Sequence, residues 1–355
     1  MMRYSLFGES HGPAIGIVIQ GVPSGLILDM DFIQNELTRR SPGRTLMSTS
    51  RKEKDEVEIV SGAFEGRATG TPLCGLIRNT DQRSRDYAAT RWLARPGHAD
   101  FTANLHYKGF EDYRGGGHFS GRLTAPLVFA GAVAKLALRE RGIEVLARIR
   151  RLEHLEDRPL DPVAPDIEAL RAAGRKLLPV LDDEKAEAMR DAILKARSEG
   201  DSVGGIVECF IFGMPAGVGS PDFDENIESH IARHIFAVPA VKGLDFGMGF
   251  GFASMRGSTA NDVFVPAGQG VLRTQTNHNG GINGGIANGM PIVFRAVIKP
   301  TSSIAQEQDT VDMRTGETAK LVITGRHDPC ILSRAVPVVE AAAALAMCSV
   351  PRVLA

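Results

Sequence analysis

The 355-residue sequence has only four cysteines (Cys74, Cys209, Cys330 and Cys348), none in a CxxC pair or at metal-ligand spacing to a histidine. That excludes a disulfide scaffold and a zinc-type cluster, and fits thiols kept reduced in a cytosol. Neither sign of charge is in excess: 41 Lys+Arg stand against 42 Asp+Glu, a formal net charge of -1. A general nucleic-acid or membrane-surface binder, which shows a large basic excess, is disfavoured. A local arginine cluster can still hold a phosphate. The most apolar long run, Leu123 to Leu138, is interrupted by Pro126 and Lys135. It falls short of the roughly 20 residues that cross a bilayer and predicts a buried helix. The start of the chain, MMRYSLFGES, lacks the apolar stretch of a secretory signal. The expectation is a cytoplasmic protein with no membrane, nucleic-acid or metal partner.

What is present is a globular composition, 43% hydrophobic and 23% charged, in a chain long enough for one large domain or two ordinary ones. Two distant stretches resemble each other. AIGIVIQGVPSG (14–25) and GGIVECFIFGMPAG (204–217) each read as a strand ending in Gly-x-Pro-x-Gly. Each is followed by an Asp-x-Asp helix start, Asp29/Asp31 and Asp222/Asp224, ahead of amphipathic segments near 31–40 and 224–236. A second echo pairs TPLCGLIRNT (71–80) with MPIVFRAVIKPT (290–301), each a strand with a basic residue near its end. Two echoes in one order point to a duplicated fold, with chance similarity of short strings as the alternative. Residues 155–166, rich in Pro and Asp, precede helices expected at 166–177 and 181–198. This stretch is a domain linker or, if the duplication is real, an excursion between two halves. The last helix is expected after Pro337. Turns and strands do not alternate regularly with helices, so the class is α+β.

Four loops gather His, Arg and Asp among glycines, the composition of exposed segments that let a ligand approach the backbone. FGESHG carries Ser10 and His11, where a site and a turn with a satisfied histidine are equally good readings. RRSPGR sets Arg39, Arg40 and Arg44 around a Pro-Gly turn, suited to a phosphate or carboxylate fork or simply a solvated basic turn. RPGHAD and DYRGGGHFSGRLTA add His98, His106, Arg114, His118, Ser120 and Arg122. The glycine N–H groups before an apolar helix make an anion cradle. Its spacing fits neither the dinucleotide nor the P-loop pattern. The fourth combines TNHNGGINGGIANGMP, KPTSS and GRHDPC, where Asp328 is a catalytic base or an ion-pair partner. So many phosphate-capable groups imply several phosphorylated ligands or one large one.

In order and separation, ESHG, GVPSG, RRSPG, SGAFEG, TGTPL, IRNTDQRSRDY, RPGHAD, DYRGGG, GDSVGG, AVKG, NHNGG, KPTSS and GRHDPC closely resemble the chorismate synthase family over nearly the whole chain. The resemblance implies a carbon–oxygen lyase. It would catalyse 1,4-anti elimination of phosphate from 5-enolpyruvylshikimate 3-phosphate, using reduced FMN (FMNH2) without net redox change. It implies an α+β sandwich with helices between two antiparallel sheets and internal pseudo-twofold duplication. The chain would be one domain (1–355) of two halves, about 1–150 and 200–355, with a helical excursion at about 155–200. A homotetramer is implied, supplied with reduced flavin by NAD(P)H or an external flavin reductase. By resemblance His11, beside Ser10, protonates the leaving phosphate, His98 serves the reduced flavin, and Asp328 takes a proton. Arg40, Arg44 and Arg122 bind anionic substrate or nucleotide. FMN contacts fall on His118, Phe119, Ser120, Ala240, Gly284, Lys299, Pro300, Thr301, Ser302, Ser303 and Arg326. The chain departs from many members where HFSGRLT stands for RSSARET, in a shorter segment before FGESHG, and in Pro239 for a common asparagine. The rival readings are a flavin oxidoreductase acting on a phosphorylated metabolite and a non-catalytic anion- or RNA-binding module.

Overall fold

A computed structural model describes residues 1–43, 55–80, 90–268, 270–323 and 328–354. The first half runs β1 (Arg3–Gly8), β2 (Ala14–Gln20), α1 (Met30–Arg40), β3 (Val57–Ser61), β4 (Leu73–Arg78) and α2 (Thr124–Arg139). The second half runs β5 (Glu144–Leu152), β6 (Gly205–Phe212), α3 (Ile227–Phe236), β7 (Val241–Phe246), β8 (Ile292–Ile298) and α4 (Leu332–Ser349). With the helix Asp100–His106, the two helices between β5 and β6 and the short elements set aside, both follow strand, strand, helix, strand, strand, helix. The antiparallel sheets are ordered β1-β2-β4-β3 and β5-β6-β8-β7, a two-residue strand at 155–156 extending the second beside β5. Numbered within its half, each sheet therefore reads first, second, fourth, third.

The duplication reaches single residues. Gly21 and Gly25 have φ of +77° and +85°, and their counterparts Gly213 and Gly217 have +77° and +86°. The Gly25 N–H donates to the Ala68 carbonyl (2.8 Å) and the Gly217 N–H to that of Ala287 (2.9 Å). Ala68 and Ala287 sit in matching two-residue hairpins, 63–64 with 67–68 and 282–283 with 286–287.

The helices lie between the sheets because each sheet turns an apolar face inward. Ile15, Ile17 and Ile19 alternate along β2 and are fully buried, as are Ile292, Phe294, Ala296 and Ile298 along β8 (none above 1% exposed). α2 packs on β2 and β4, α4 on β5 and β6, and the two helices pack on each other. Their crossing is close because Gly131 of α2 faces Ala341 of α4. Any side chain at 131 would overlap Ala341. A helix with sheets or helices on every side is apolar all round. By length and composition the segments 114–139 and 332–349 resemble membrane-crossing helices, yet 83% of each window is buried inside the molecule. One continuous core joins both halves.

Boundaries differ from the sequence reading in three places. α4 begins at Leu332 and contains Pro337 at its sixth position, where the missing N–H forgoes one hydrogen bond of the helix. The second amphipathic helix is capped by Asn226, whose side chain accepts from Ser229 N, rather than by Asp222 or Asp224. The helices expected between the halves are Ile167–Gly174 and Asp183–Ser198, capped by Asp166 and Asp182, and they fall within the second half, between β5 and β6, because strand Glu144–Leu152 belongs to the second sheet. This stretch is tied to the second sheet by buried Arg148. Its guanidinium meets Asp157 at 2.7 Å and Glu208 at 2.7 Å, while Asp157 accepts from the N–H groups of Leu181 and Asp182.

Candidate active site

The turn joining β1 to β2 carries Glu9 to Pro13 and is held from outside. Asn79 Nδ2 donates to the carbonyls of Glu9 (3.0 Å) and Gly12 (2.9 Å). The Ser10 N–H donates to the Gly117 carbonyl at 3.1 Å, and His118 Nδ1 lies 3.1 Å from the Gly8 carbonyl oxygen. Loops normally run exposed, yet Ser10 and His11 are only 1% and 5% exposed. Ser10 Oγ is buried with no hydrogen-bond partner among the described residues. Such an atom costs stability unless something else meets it.

The element that covers this turn is Arg114–Phe119, where Gly115, Gly116 and Gly117 have φ of +60°, +83° and +53°. Three consecutive positive φ values need glycine. Space demands it too. A Cβ at Gly115 would overlap the His11 ring, and one at Gly116 would lie 3.1 Å from both Cε1 and Nε2 of His98. The two histidines singled out in the sequence thus rest on adjacent glycines of a single turn.

His98 belongs to a three-residue polar cluster. Its Nδ1 lies 2.7 Å from Asp100 Oδ1 and 3.0 Å from Arg95 Nη2. Arg95 grips Asp100 with Nε to Oδ2 and Nη2 to Oδ1, both 2.6 Å. Burial works against the Asp100 carboxylate, but the hydrogen bonds from Arg95 and His98 hold its pKa well below the usual range. Arg95, His98 and Asp100, with Tyr113, Gly116 and Phe119, line a cleft open to solvent.

The strip after β8 reaches the same place. Lys299 Nζ donates to the Gly97 carbonyl, and Arg95 Nη1 donates to Ser303 Oγ at 3.3 Å. The Lys299 N–H donates to the carbonyl of Ala240, which holds φ +71°. Thr301 Oγ1 is buried without a hydrogen-bond partner among the described residues. Lys299 to Ser303 and Ala240 are thereby joined to His98. Gly284 is not: its hairpin lies against Ser220 and Asn226, at the start of α3. Phe119 is partly exposed (39%), and Ser120 Oγ accepts from the Arg122 N–H.

The arginines meet at a residue the sequence reading missed, Asp55. Arg40 Nη1 reaches Asp55 Oδ2 at 2.6 Å, Arg122 Nη1 is paired with Oδ1, and Ser41 Oγ donates to Oδ2 at 2.9 Å. Arg40 also donates to Thr124 Oγ1 and the Gly121 carbonyl, and its side chain is 1% exposed. It therefore faces protein acceptors. Burial pushes Arg40 down to about 10; Asp55 opposes this, while Arg334 and Arg122 add to it. Burial disfavours the Asp55 carboxylate, but Arg40 and Arg122 together hold its pKa below the ordinary value. Arg122 Nε donates to Asn79 Oδ1 at 3.1 Å. Asn79 thus links the arginines to the His11 turn. Asp328 is ion-paired with Arg334, whose Nε donates to the Arg40 carbonyl at 3.0 Å. Arg44 and Arg326 lie outside the described residues.

Asn79, Arg95 and Asp100 stood inside motifs that were visible in the sequence. Asp55, in the charged string KEKDEVE, had no local signal. Among the described residues no group of three or more His, Cys, Asp or Glu side chains could hold a metal ion.

The family model described as chorismate synthase matches residues 2–350. A chorismate synthase of Thermococcus kodakarensis is 47% identical over 345 residues, covering 97% of this chain and 94% of that protein. One of Aeropyrum pernix is 46% identical, covering 98% and 90%. A solved structure titled "Crystal Structure of Chorismate Synthase" aligns with a TM-score of 0.76 at 28% identity, covering 98% of this chain and 91% of that one.

Proposed function

The chain belongs to the chorismate synthase family, and from that premise we propose how its residues divide the work. It is a lyase that eliminates phosphate from 5-enolpyruvylshikimate 3-phosphate, in a 1,4-anti sense, to give chorismate. The observation that carries the division of roles is the pair of imidazoles on Gly115 and Gly116. Histidine titrates near neutrality, so it can serve as a proton donor at working pH. We assign His11 to protonate the departing phosphate, with the Ser10 hydroxyl beside it. We assign His98 to hold a proton on the opposite side of the turn. We assign Asp328, held by Arg334, as the base that would help take the proton from N5 of the bound flavin. Arg122, Arg44 and the field of buried Arg40 draw the anionic substrate into the site.

Reduced FMN, when bound, supplies transient electron donation that assists C–O cleavage, with no net redox change. The residues present fit such a ligand. Thr301 Oγ1 and Ser10 Oγ are unspent polar atoms, and Lys299 brings a cation to the same strip. We assign its binding to Lys299–Ser303, Ala240, His118–Ser120 and Arg326. Gly284 belongs to this set only if its hairpin meets the flavin from another direction. We read the chain as one domain of two related halves with a helical excursion. It works in the cytoplasm as a homotetramer supplied with reduced flavin by NAD(P)H or a separate reductase.

Anaerobic turnover counting tests the reading. Many substrate molecules should be converted per flavin reduced, whereas one-to-one consumption of reductant would defeat it. His11→Ala and His98→Ala should each lower turnover by about 100-fold or more, the scale of general acid catalysis. Wild-type rates in both variants would remove the proposed roles.

A further inference from the structure

His98 Nδ1 sits within hydrogen-bonding distance of both an acceptor and a donor: Asp100 Oδ1 at 2.7 Å and Arg95 Nη2 at 3.0 Å. Only one arrangement of protons suits all three groups. If Nδ1 were bare, its lone pair would face a carboxylate oxygen at 2.7 Å, which is repulsive. If Nδ1 carries the proton, it donates to Asp100 Oδ1, and Arg95 Nη2 donates to the same oxygen at 2.6 Å. Arg95 has no acceptor to offer, and its second arm fixes Asp100 Oδ2 from Nε at 2.6 Å. The Arg95 N–H donates to that oxygen too, at 3.1 Å. The carboxylate is thus clamped in place, and the ring follows it.

Resting on the catalytic assignment of His98, we propose that Asp100, clamped by Arg95, is a positioning residue. It fixes His98 in the Nδ1–H form and leaves Nε2 as the ring's working nitrogen, facing the Gly116 turn. Space for that nitrogen is provided by the missing side chain at 116, where a Cβ would lie 3.1 Å from Nε2. The other charged groups nearby are Lys299, whose ammonium is engaged by the Gly97 carbonyl, and Arg91, Glu111 and Asp112, which line the same cleft. None of them is within hydrogen-bonding distance of Nδ1 among the contacts formed. The choice of tautomer therefore falls to Asp100. The logic is that of any imidazole oriented by a carboxylate on its far nitrogen. Asp100→Asn inverts it. The fork of Arg95 claims the single amide oxygen, the amide NH2 turns to Nδ1, and the ring proton moves to Nε2.

The test uses the full-length protein labelled with 15N at its imidazoles, at alkaline pH and without ligand. The His98 resonance is assigned by its loss in His98→Ala. Wild type should show the Nδ1–H tautomer and Asp100→Asn the Nε2–H tautomer. Asp100→Asn should lose about 100-fold or more in kcat with KM little changed. Asp100→Glu, which keeps a carboxylate, should recover part of both signals. A wild-type ring protonated on Nε2 overturns the proposal without any variant. An unchanged tautomer, or unchanged kcat, in a folded Asp100→Asn protein overturns it as well. Failure of the underlying reading looks different: His98→Ala would then turn over normally while the tautomer still followed residue 100.

Discussion

Arg39 and Arg40 are neighbours on α1 and end in two buried ion clusters of opposite character. Arg39 joins Lys135 to meet two carboxylates. It lies 2.9 Å from Glu36 and 2.6 Å from Glu340, and Lys135 Nζ lies 2.5 Å from each. Arg40 and Arg122 share the single carboxylate of Asp55, with Arg334 close behind. Burial disfavours the charge on both arginines. Glu340 and Glu36 reverse that for Arg39, whose pKa rises above its ordinary value, while Arg40 falls to about 10. The balanced cluster joins α1, α2 and α4 and, through the Ala147 N–H donating to Glu340 at 2.9 Å, the second sheet. Among the described residues the second cluster sets two arginines on one carboxylate, and it lies one hydrogen-bonded residue, Asn79, from the His11 turn. Adjacent residues of one helix thus enter a network that ties helices together and one that borders the candidate site.

The sharpest way to break this comparison is Glu340→Ala. It strips a fully buried carboxylate from two cations and should cost about 3–5 kcal/mol of stability, read as a large drop in thermal midpoint, with substrate KM unchanged in the folded enzyme. A shifted KM with an unchanged midpoint would reverse the roles given to the two clusters. A somewhat smaller effect is expected from acid. Burial raises the pKa of Glu340, but Arg39 and Lys135 bring it down to about 2 from an ordinary 4.5. Because the folded value is the lower one, this stability is present above about pH 4.5 and lost as pH falls toward 2. It amounts to about 3 kcal/mol in wild type and should vanish from the acid limb of Glu340→Gln, measured by urea unfolding across that window. The smallest effect sharpens the comparison. Asp55→Asn removes the carboxylate that Arg40 and Arg122 share, so inorganic phosphate should stabilise this variant more than wild type. The gain should be on the order of 1 kcal/mol at several times its Kd. Glu340→Gln should show no such gain, and equal phosphate effects in all three proteins would refute the contrast between the two clusters.

The duplicated plan was legible because each half repeats a strand ending in Gly-x-Pro-x-Gly, and those glycines keep the same backbone angles. The motif loops were legible as clusters of chemical groups, and the structure brings His11, His98 and the strip at 299–303 around one turn. Their pairing was not, since nothing in RPGHAD shows that Asp100 bends back on Nδ1. Nor does KEKDEVE show that its Asp55 is buried. RRSPG read as one basic turn, yet the helix sends its two arginines into different clusters. Such facts depend on contacts between residues far apart in sequence.

The close crossing at Gly131 and Ala341 has a consequence for how the protein is made. α2 leaves the ribosome long before its main helical partner, because nearly 200 residues separate it from α4. The stretch between them, residues 140–331, takes roughly 10–40 s to synthesise at ordinary rates. Through that interval a nascent helix as apolar as a membrane anchor has β2 and β4 to rest on but lacks α4. Chaperones that recognise exposed apolar helices should therefore hold this chain until α4 has been made.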